Sequence, residues 1–207
     1  INKGEESVLK RWVSKRCNAD IAKIASRYNV TEIFAEVLVK RGLYTWEAMD
    51  KYLFPDLELM YKPELMKDLV KAASLLKNSI TKGIKTRVIG DYDVDGIMST
   101  YILVKGISML GGNADYRIPH RVKDGYGIRS YMVDEAYSDG AGTIITCDNG
   151  ISATDAALRA KESGITYILT DHHEVPSEDG IPVIPVADAV VNPKQPDCNY
   201  PFPQLCG

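Results

Sequence analysis

The apolar positions change period near residue 85. Upstream they recur at helical spacing. Ile21, Ile24 and Ala25 share a face within residues 19–28. Thr31 can cap a second helix carrying Ile33, Phe34, Val37 and Leu38, with Gly42 as its stop. Leu53-Phe54-Pro55 breaks the pattern. Pro63 suits the first position of a longer helix with Leu65, Met66, Leu69, Val70, Ala73, Leu76 and Ile80 on its apolar side, and Gly83 ends it. Two short helices with a tight connection have the outline of a helix-turn-helix. Such pairs more often only pack, so no DNA-reading role is assigned to them.

Downstream the rhythm is strand, loop, helix. Residues 87–89, 114–118, 143–147, 167–170 and 189–191 read as strands. Between them, 97–110 (stopped by Gly111-Gly112), 130–137 and 152–161 read as helices, the last with Ala153, Ala156, Ala157 and Ala160. The alternation predicts an α/β fold: a doubly wound, mainly parallel sheet flanked by helices, with right-handed connections. The expected division is a small N-terminal helical arm, 1–84, and an α/β domain, 85–207. The proline-rich segment from Pro193 to Pro203 is expected to be a loop crossing the surface. No repeat or low-complexity tract interrupts the chain.

The 207 residues, 45% of them hydrophobic, suffice for one substantial core and a smaller helical unit. The apolar runs are far short of a membrane span, and no segment near the N-terminus resembles a signal peptide. A start at Ile1 and an end at Gln204-Leu205-Cys206-Gly207 lead us to expect a piece of a longer protein. None of Cys17, Cys147, Cys198 and Cys206 forms a CxxC pair, which argues against a zinc ribbon or dithiol site. Cys147, closing an apolar strand, is expected to be buried, and a reducing cytoplasmic compartment fits best. The net charge of −3 hides an asymmetry: residues 1–85 carry +5 and residues 86–207 carry −8. An acidic half is a poor nucleic-acid surface until cations neutralise it, and a good divalent-metal site.

Three of the strands end in groups that carry chemistry. Gly90-Asp91-Tyr92-Asp93-Val94-Asp95-Gly96 follows the first, Asp148-Asn149-Gly150 follows the third, and Asp171-His172-His173 follows the fourth. In an open parallel sheet, ligands bind outside the carboxyl ends of the strands, so these segments should meet. Alternation gathers Asp91, Asp93 and Asp95 toward one point, where cations relieve their repulsion. The DxDxDG spacing begins like an EF-hand, but Ile102 stands where the loop needs glutamate, so calcium is not favoured. No GxGxxG or Walker pattern is present. Alone, Asp148 would read as a turn residue, and Asn149 or Ser152 as a helix cap. Of His172 and His173, one can bind metal while the other faces substrate. His120 and Arg121, with Lys123, lie in a glycine-bearing polar loop that could grip a phosphate, since guanidinium binds phosphate bidentately. The whole set suits a two-metal hydrolase, with manganese or magnesium, acting on a phosphoester or phosphoanhydride.

Thr170-Asp171-His172-His173, Asp93-Val94-Asp95-Gly96 and Thr146-Cys147-Asp148-Asn149-Gly150 together resemble the DHH phosphoesterase superfamily. The fuller first segment, Pro119-His120-Arg121 with Gly125-Tyr126-Gly127, and Asn192-Pro193-Lys194 with Pro201-Phe202 and Leu205-Cys206-Gly207 resemble its RecJ-type single-stranded-DNA exonucleases. The resemblance runs from about Trp12 to the end. It implies a 5′-to-3′ exonuclease of DNA repair and recombination using two Mn2+ or Mg2+ ions. The partners it implies are single-stranded DNA and, as candidates, a single-strand-binding protein or other repair proteins. It also implies Asp93, Asp95 and His172 as metal ligands, Asp148 as a bridge, and Asp91 as an outer or direct ligand. His173 would contact the scissile phosphate, and Arg121 and His120 would hold substrate phosphate. Two departures stand out. Ile89 occupies a position where many members have histidine, and the family's last metal aspartate and second domain are expected beyond Gly207. The chain alone is accordingly expected to bind metal weakly and cleave poorly. Alternatives are another DHH phosphoesterase, such as a nano-RNA or cyclic-dinucleotide hydrolase, and a non-catalytic nucleic-acid-binding scaffold.

Overall fold

Asp20, Thr31 and Thr45 each start a helix by accepting a backbone N–H three residues ahead, at 3.1, 3.3 and 3.1 Å. The helices are α1 (Ile21–Tyr28), α2 (Glu32–Lys40) and α3 (Trp46–Leu53). The structure is a computed structural model and describes Val13 and residues 18–207. It forms two compact units, Ile1–Met60 and Tyr61–Gly207. In the first, Ile24, Ala25, Ala35, Val39 and Met49 make a small core.

The second unit contains α4 (Leu69–Thr81), β1 (Lys85–Ile89), α5 (Val94–Met109), β2 (Ala114–Arg117), α6 (Ser130–Ser138), β3 (Ala141–Thr146), α7 (Thr154–Glu162), β4 (Thr166–Thr170), a two-stranded hairpin of β5 (Ser177–Glu178) and β6 (Ile181–Pro182), and β7 (Ala189–Val191). The main sheet is parallel throughout, in the order β2-β1-β3-β4-β7. Its strands alternate by face. Val88, Ile145 and Ile168 pack against α4 and α5 through Leu69, Ala72, Leu76, Val104 and Ile107. Their neighbours Ile89, Ile144 and Leu169 face α6 and α7, meeting Met132, Val133, Ala136, Ala156, Ala157 and Ala160. Both faces are covered, which explains why the strands read as continuous apolar runs. The small alanine face lets α7 approach the sheet closely.

Several elements differ from expectation. Helix α3 was not anticipated. The helix expected from Pro63 begins at Leu69, because residues 63–65 form only a 3₁₀ turn and Asp68 adopts φ +61°. That turn brings the Asp68 carboxylate to the backbone N–H of Val190, 3.1 Å away on β7. Helix α5 starts three residues early, at Val94, because Asp93 caps it. The segment after residue 192 is a loop, as expected, with exposed residues from Asp197 onward, but its start is anchored. Asn192, Pro193 and Gln195 are buried, and Gln195 Nε2 donates to the carbonyl of Val190 at 2.6 Å.

Candidate metal centre

Helix α5 leaves β1 toward the α4 face, whereas α7, following β3, packs on the opposite face. The two strands lie side by side. Their diverging connections open a crevice at the carboxyl edge of the sheet, the usual position for a ligand. The loop after β1 supplies Asp91, Asp93 and Asp95. The turn after β3 supplies Asp148, and the turn after β4 supplies Asp171, His172 and His173.

Asp91 is buried, and its Oδ1 has no hydrogen-bond partner among the described residues. Burial pushes its carboxyl up, and the charge of Asp93 adds to the effect. Asp93 accepts the N–H of Gly96 at 3.0 Å, and this bond is the main reason its carboxyl is held low. No side chain would fit at Gly96: a Cβ there would stand 2.5 Å from the backbone of Asp91. The loop is therefore wrapped tightly onto the first turn of α5. Asp95, in that turn, places Oδ2 3.7 Å from His172 Nε2 and accepts the N–H of Gly207 at 2.9 Å.

Asp148 sits at φ +61°, in the left-handed region, and is 2% exposed. Oδ1 lies 2.9 Å from His172 Nε2, and Oδ2 has no hydrogen-bond partner among the described residues. Burial, reinforced by Asp95 and Asp93, pushes its carboxyl up to about 6, although His172 and His173 pull the other way. Asn149 does not cap the following helix, as its position suggested. Its Nδ2 donates to the carbonyls of Ile89 and Cys147, and Ala153 is the N-cap residue of α7. Ile89 is fully buried on the α6 and α7 side of the sheet.

His172 Nδ1 donates to the carbonyl of Leu205 at 2.9 Å. That bond leaves the Nε2 lone pair directed at Asp148, the tautomer a metal ligand needs. His173 Nδ1 lies 2.7 Å from Asp171 Oδ1. The Tyr126 hydroxyl approaches the same imidazole at 3.1 Å and donates to the carbonyl of Asp148 at 3.3 Å. Burial and the surrounding carboxylates push the Tyr126 hydroxyl well above its ordinary value, so it stays protonated. Asp171 is the organiser of this turn. Its Oδ1 accepts the N–H groups of His172 and His173 at 2.7 and 3.2 Å as well as the His173 ring, and Oδ2 accepts from Ile151 N–H at 2.9 Å. The sequence placed Asp171 in a chemical segment and Tyr126 in the basic loop but assigned neither a role. An aspartate immediately before two histidines at a strand end was the available signal.

The basic loop divides in two. Arg121 is exposed and lays its guanidinium over the Tyr92 ring, 5.3 Å from the centroid, at the rim of the centre. His120 is also exposed, and its Nδ1 accepts the N–H groups of Val122 and Lys123 on its own loop at 3.2 and 3.3 Å.

Among the described residues, two sets of donor atoms each lie within 4.8 Å of one another: Asp148 with His172 and His173, and Asp91 with Asp93 and Asp148. Asp148 belongs to both. Three carboxylates with imidazole are hard and borderline donors suited to manganese or magnesium. Two buried carboxylate oxygens without a partner among the described residues, Asp91 Oδ1 and Asp148 Oδ2, need a cation or proton to offset their burial. The residues fit a pair of divalent ions.

Residues 85–207 match the DHH family, N-terminal domain. Among curated proteins, the single-stranded-DNA-specific exonuclease RecJ of Bacillus subtilis (strain 168) is 38% identical over 198 residues, 95% of this chain and 25% of that protein. RecJ of Escherichia coli (strain K12) is 41% identical over 138 residues, covering 66% of this chain and 23% of that one. Among solved structures, RecJ in complex with Mn2+ from Thermus thermophilus superposes with a TM-score of 0.64 at 29% identity, over 91% of this chain and 25% of that one. A manganese-bound exonuclease RecJ gives 0.57 at 37% identity, over 64% of this chain and 33% of that one. The chain spans about a quarter of the length of the curated relatives it matches.

Proposed function

This chain belongs to the DHH family, and on that basis we propose that it carries the metal-binding centre of a phosphodiesterase that degrades single-stranded DNA from the 5′ end, in repair and recombination. The observation that carries the reading is Asp148, a buried carboxylate common to both donor sets. Asp91, Asp93, Asp148 and His172, with Asp95 beside them, would hold two Mn2+ or Mg2+ ions, the first of which accompanies the similar exonucleases. Such ions supply Lewis acidity, withdrawing charge from the phosphate and making water a better nucleophile.

The chain's own side chains do the rest. Asp171 fixes the His173 ring beside Tyr126 through Nδ1, and in its doubly protonated form the ring would offer Nε2–H to a phosphate oxygen. Arg121, spread on Tyr92, offers a bidentate grip to a phosphate at the same rim. His120 accepts backbone N–H groups at Nδ1, which leaves its Nε2–H to help hold the same phosphate. A single strand fits this reading because the crevice lies at an open sheet edge where the scissile bond must reach ions held by buried carboxylates. A single-strand-binding protein is the partner class that would present such a substrate.

The test is Mn2+-dependent release of nucleotides from 5′-phosphorylated single-stranded oligonucleotides, with duplex DNA and single-stranded RNA as comparators. The expected result is slow, metal-dependent cleavage of the single-stranded DNA that Asp148→Ala abolishes. Failure to bind divalent ions, or cleavage indifferent to Asp148→Ala, would overturn the reading.

A further inference from the structure

We propose that Asn149 is a positioning residue whose side-chain amide straps the end of β1 to the end of β3 and so sets the separation between the Asp91–Asp93 loop and Asp148. The inference rests on the two-ion reading of the centre.

The backbone holds these strands together only up to one point. The last rung between them is the N–H of Cys147 on the carbonyl of Ile89, at 3.0 Å. The chain then turns at Asp148, with φ +61°, and no further backbone N–H of this turn reaches β1. Beyond that rung the connections separate, one helix packing on each face of the sheet. The carboxylates that must share a pair of cations therefore come from loops that the sheet directs apart.

Asn149 bridges that gap. Its side chain is fully buried, and Nδ2 donates to Ile89 O at 3.1 Å and to Cys147 O at 3.0 Å. Both partners are carbonyl oxygens, so only the NH2 end of the amide can serve them. Ile89 precedes Asp91 by two residues, and Cys147 immediately precedes Asp148. One side chain thus ties the roots of both acidic segments. The Asn149 amide is engaged through Nδ2 with the ends of both strands, so its effect on the ions passes through Asp91, Asp93 and Asp148. Gly150 keeps the turn compact: at φ +113° a Cβ would meet Thr146 Oγ1 at 2.9 Å.

The experiment measures manganese binding to this chain by calorimetry and the electron paramagnetic resonance of the loaded protein. At Mn2+ concentrations high enough to fill weak sites, the unsubstituted chain should take up two ions whose spins are exchange-coupled. Asn149→Ala should lose the coupled signal and weaken the second ion by roughly 10–100-fold, the usual effect of removing a group that orients ligands. Asn149→Ser, which keeps one donor, should shift both readouts in the same direction and covers the case in which the alanine variant does not fold. Met132→Ala, a fully buried change on α6, is the control: it should lower stability and leave the coupling intact. Coupling and both affinities preserved in the Asn149 variants, alongside a loss of stability like that of Met132→Ala, would overturn the proposal. An unsubstituted chain that binds no pair of Mn2+ ions would instead overturn the two-ion reading and the proposal with it.

Discussion

Replacing Asp148 with asparagine should stabilise the metal-free protein above pH 6. A buried carboxyl moved from its ordinary 3.8 to about 6 is more easily protonated in the folded chain than in the unfolded one. The folded state then binds more protons, so stability is fully present below pH 3.8 and is lost as pH rises to about 6. At 1.36 kcal/mol per pKa unit the loss is about 3 kcal/mol. Asparagine keeps the shape and abolishes the charge. Its NH2 group can also replace the proton that a neutral Asp148 shares with His172 Nε2, 2.9 Å away. Urea denaturation of the metal-stripped protein from pH 4 to 8 measures the difference. The two proteins should be close in stability near pH 4, with the variant ahead by up to about 3 kcal/mol at pH 7–8. Adding Mn2+ should reverse the order. A ligand at a thousand times its dissociation constant adds about 4.1 kcal/mol, more than the gap, and only the protein with the carboxylate can benefit fully. A metal-free variant equal to or less stable than the parent across pH 6–8 would refute the claim that Asp148 is held at an electrostatic cost.

Asp171→Asn replaces one oxygen of a carboxylate that accepts four N–H groups; metal affinity or Mn2+-dependent cleavage should fall roughly 10–100-fold, measured by calorimetry and single-turnover kinetics. Gly96→Ala would drive a Cβ to 2.5 Å from the Asp91 backbone, so it should lower stability by several kcal/mol, in the range of about 1–3 or more for overpacking, read by thermal melting, and weaken Mn2+ binding. Arg121→Lys keeps the charge but loses the planar fork and the contact with Tyr92; it should raise KM for 5′-phosphorylated oligonucleotides about tenfold while leaving Mn2+ affinity unchanged.

Much of the fold was legible because the second unit is layered. Strands covered on both faces read as unbroken apolar runs, and the alanines of α7 marked a face pressed on the sheet. The three chemical segments were legible because each directly follows such a run. What escaped depends on contacts between distant positions. The start of α4 is decided by Asp68 reaching Val190, and no local pattern around Pro63 carries that information. The hairpin of β5 and β6 has its signal in Asp179-Gly180, both at positive φ, but two-residue strands leave no alternation to read. Asn149 looked like a helix cap because its type suits one. The carbonyl of Ile89, sixty residues earlier in the chain, claims its amide instead. Asp171 was hidden by its neighbours, since a histidine pair is the stronger chemical signal and the four N–H groups that the carboxylate accepts are visible only in the folded turn.

The parallel pairing of β1 with β3 has a kinetic consequence. Ile89 lies opposite Thr146, so no hairpin or local turn can zip these strands together; the intervening chain must first be gathered in. Chains dominated by such distant pairings fold slowly, because closure entropy is lost before contacts repay it. The donor atoms converge only after that step. A divalent ion added during refolding should therefore slow unfolding far more than it speeds folding, acting as a lock on the finished sheet.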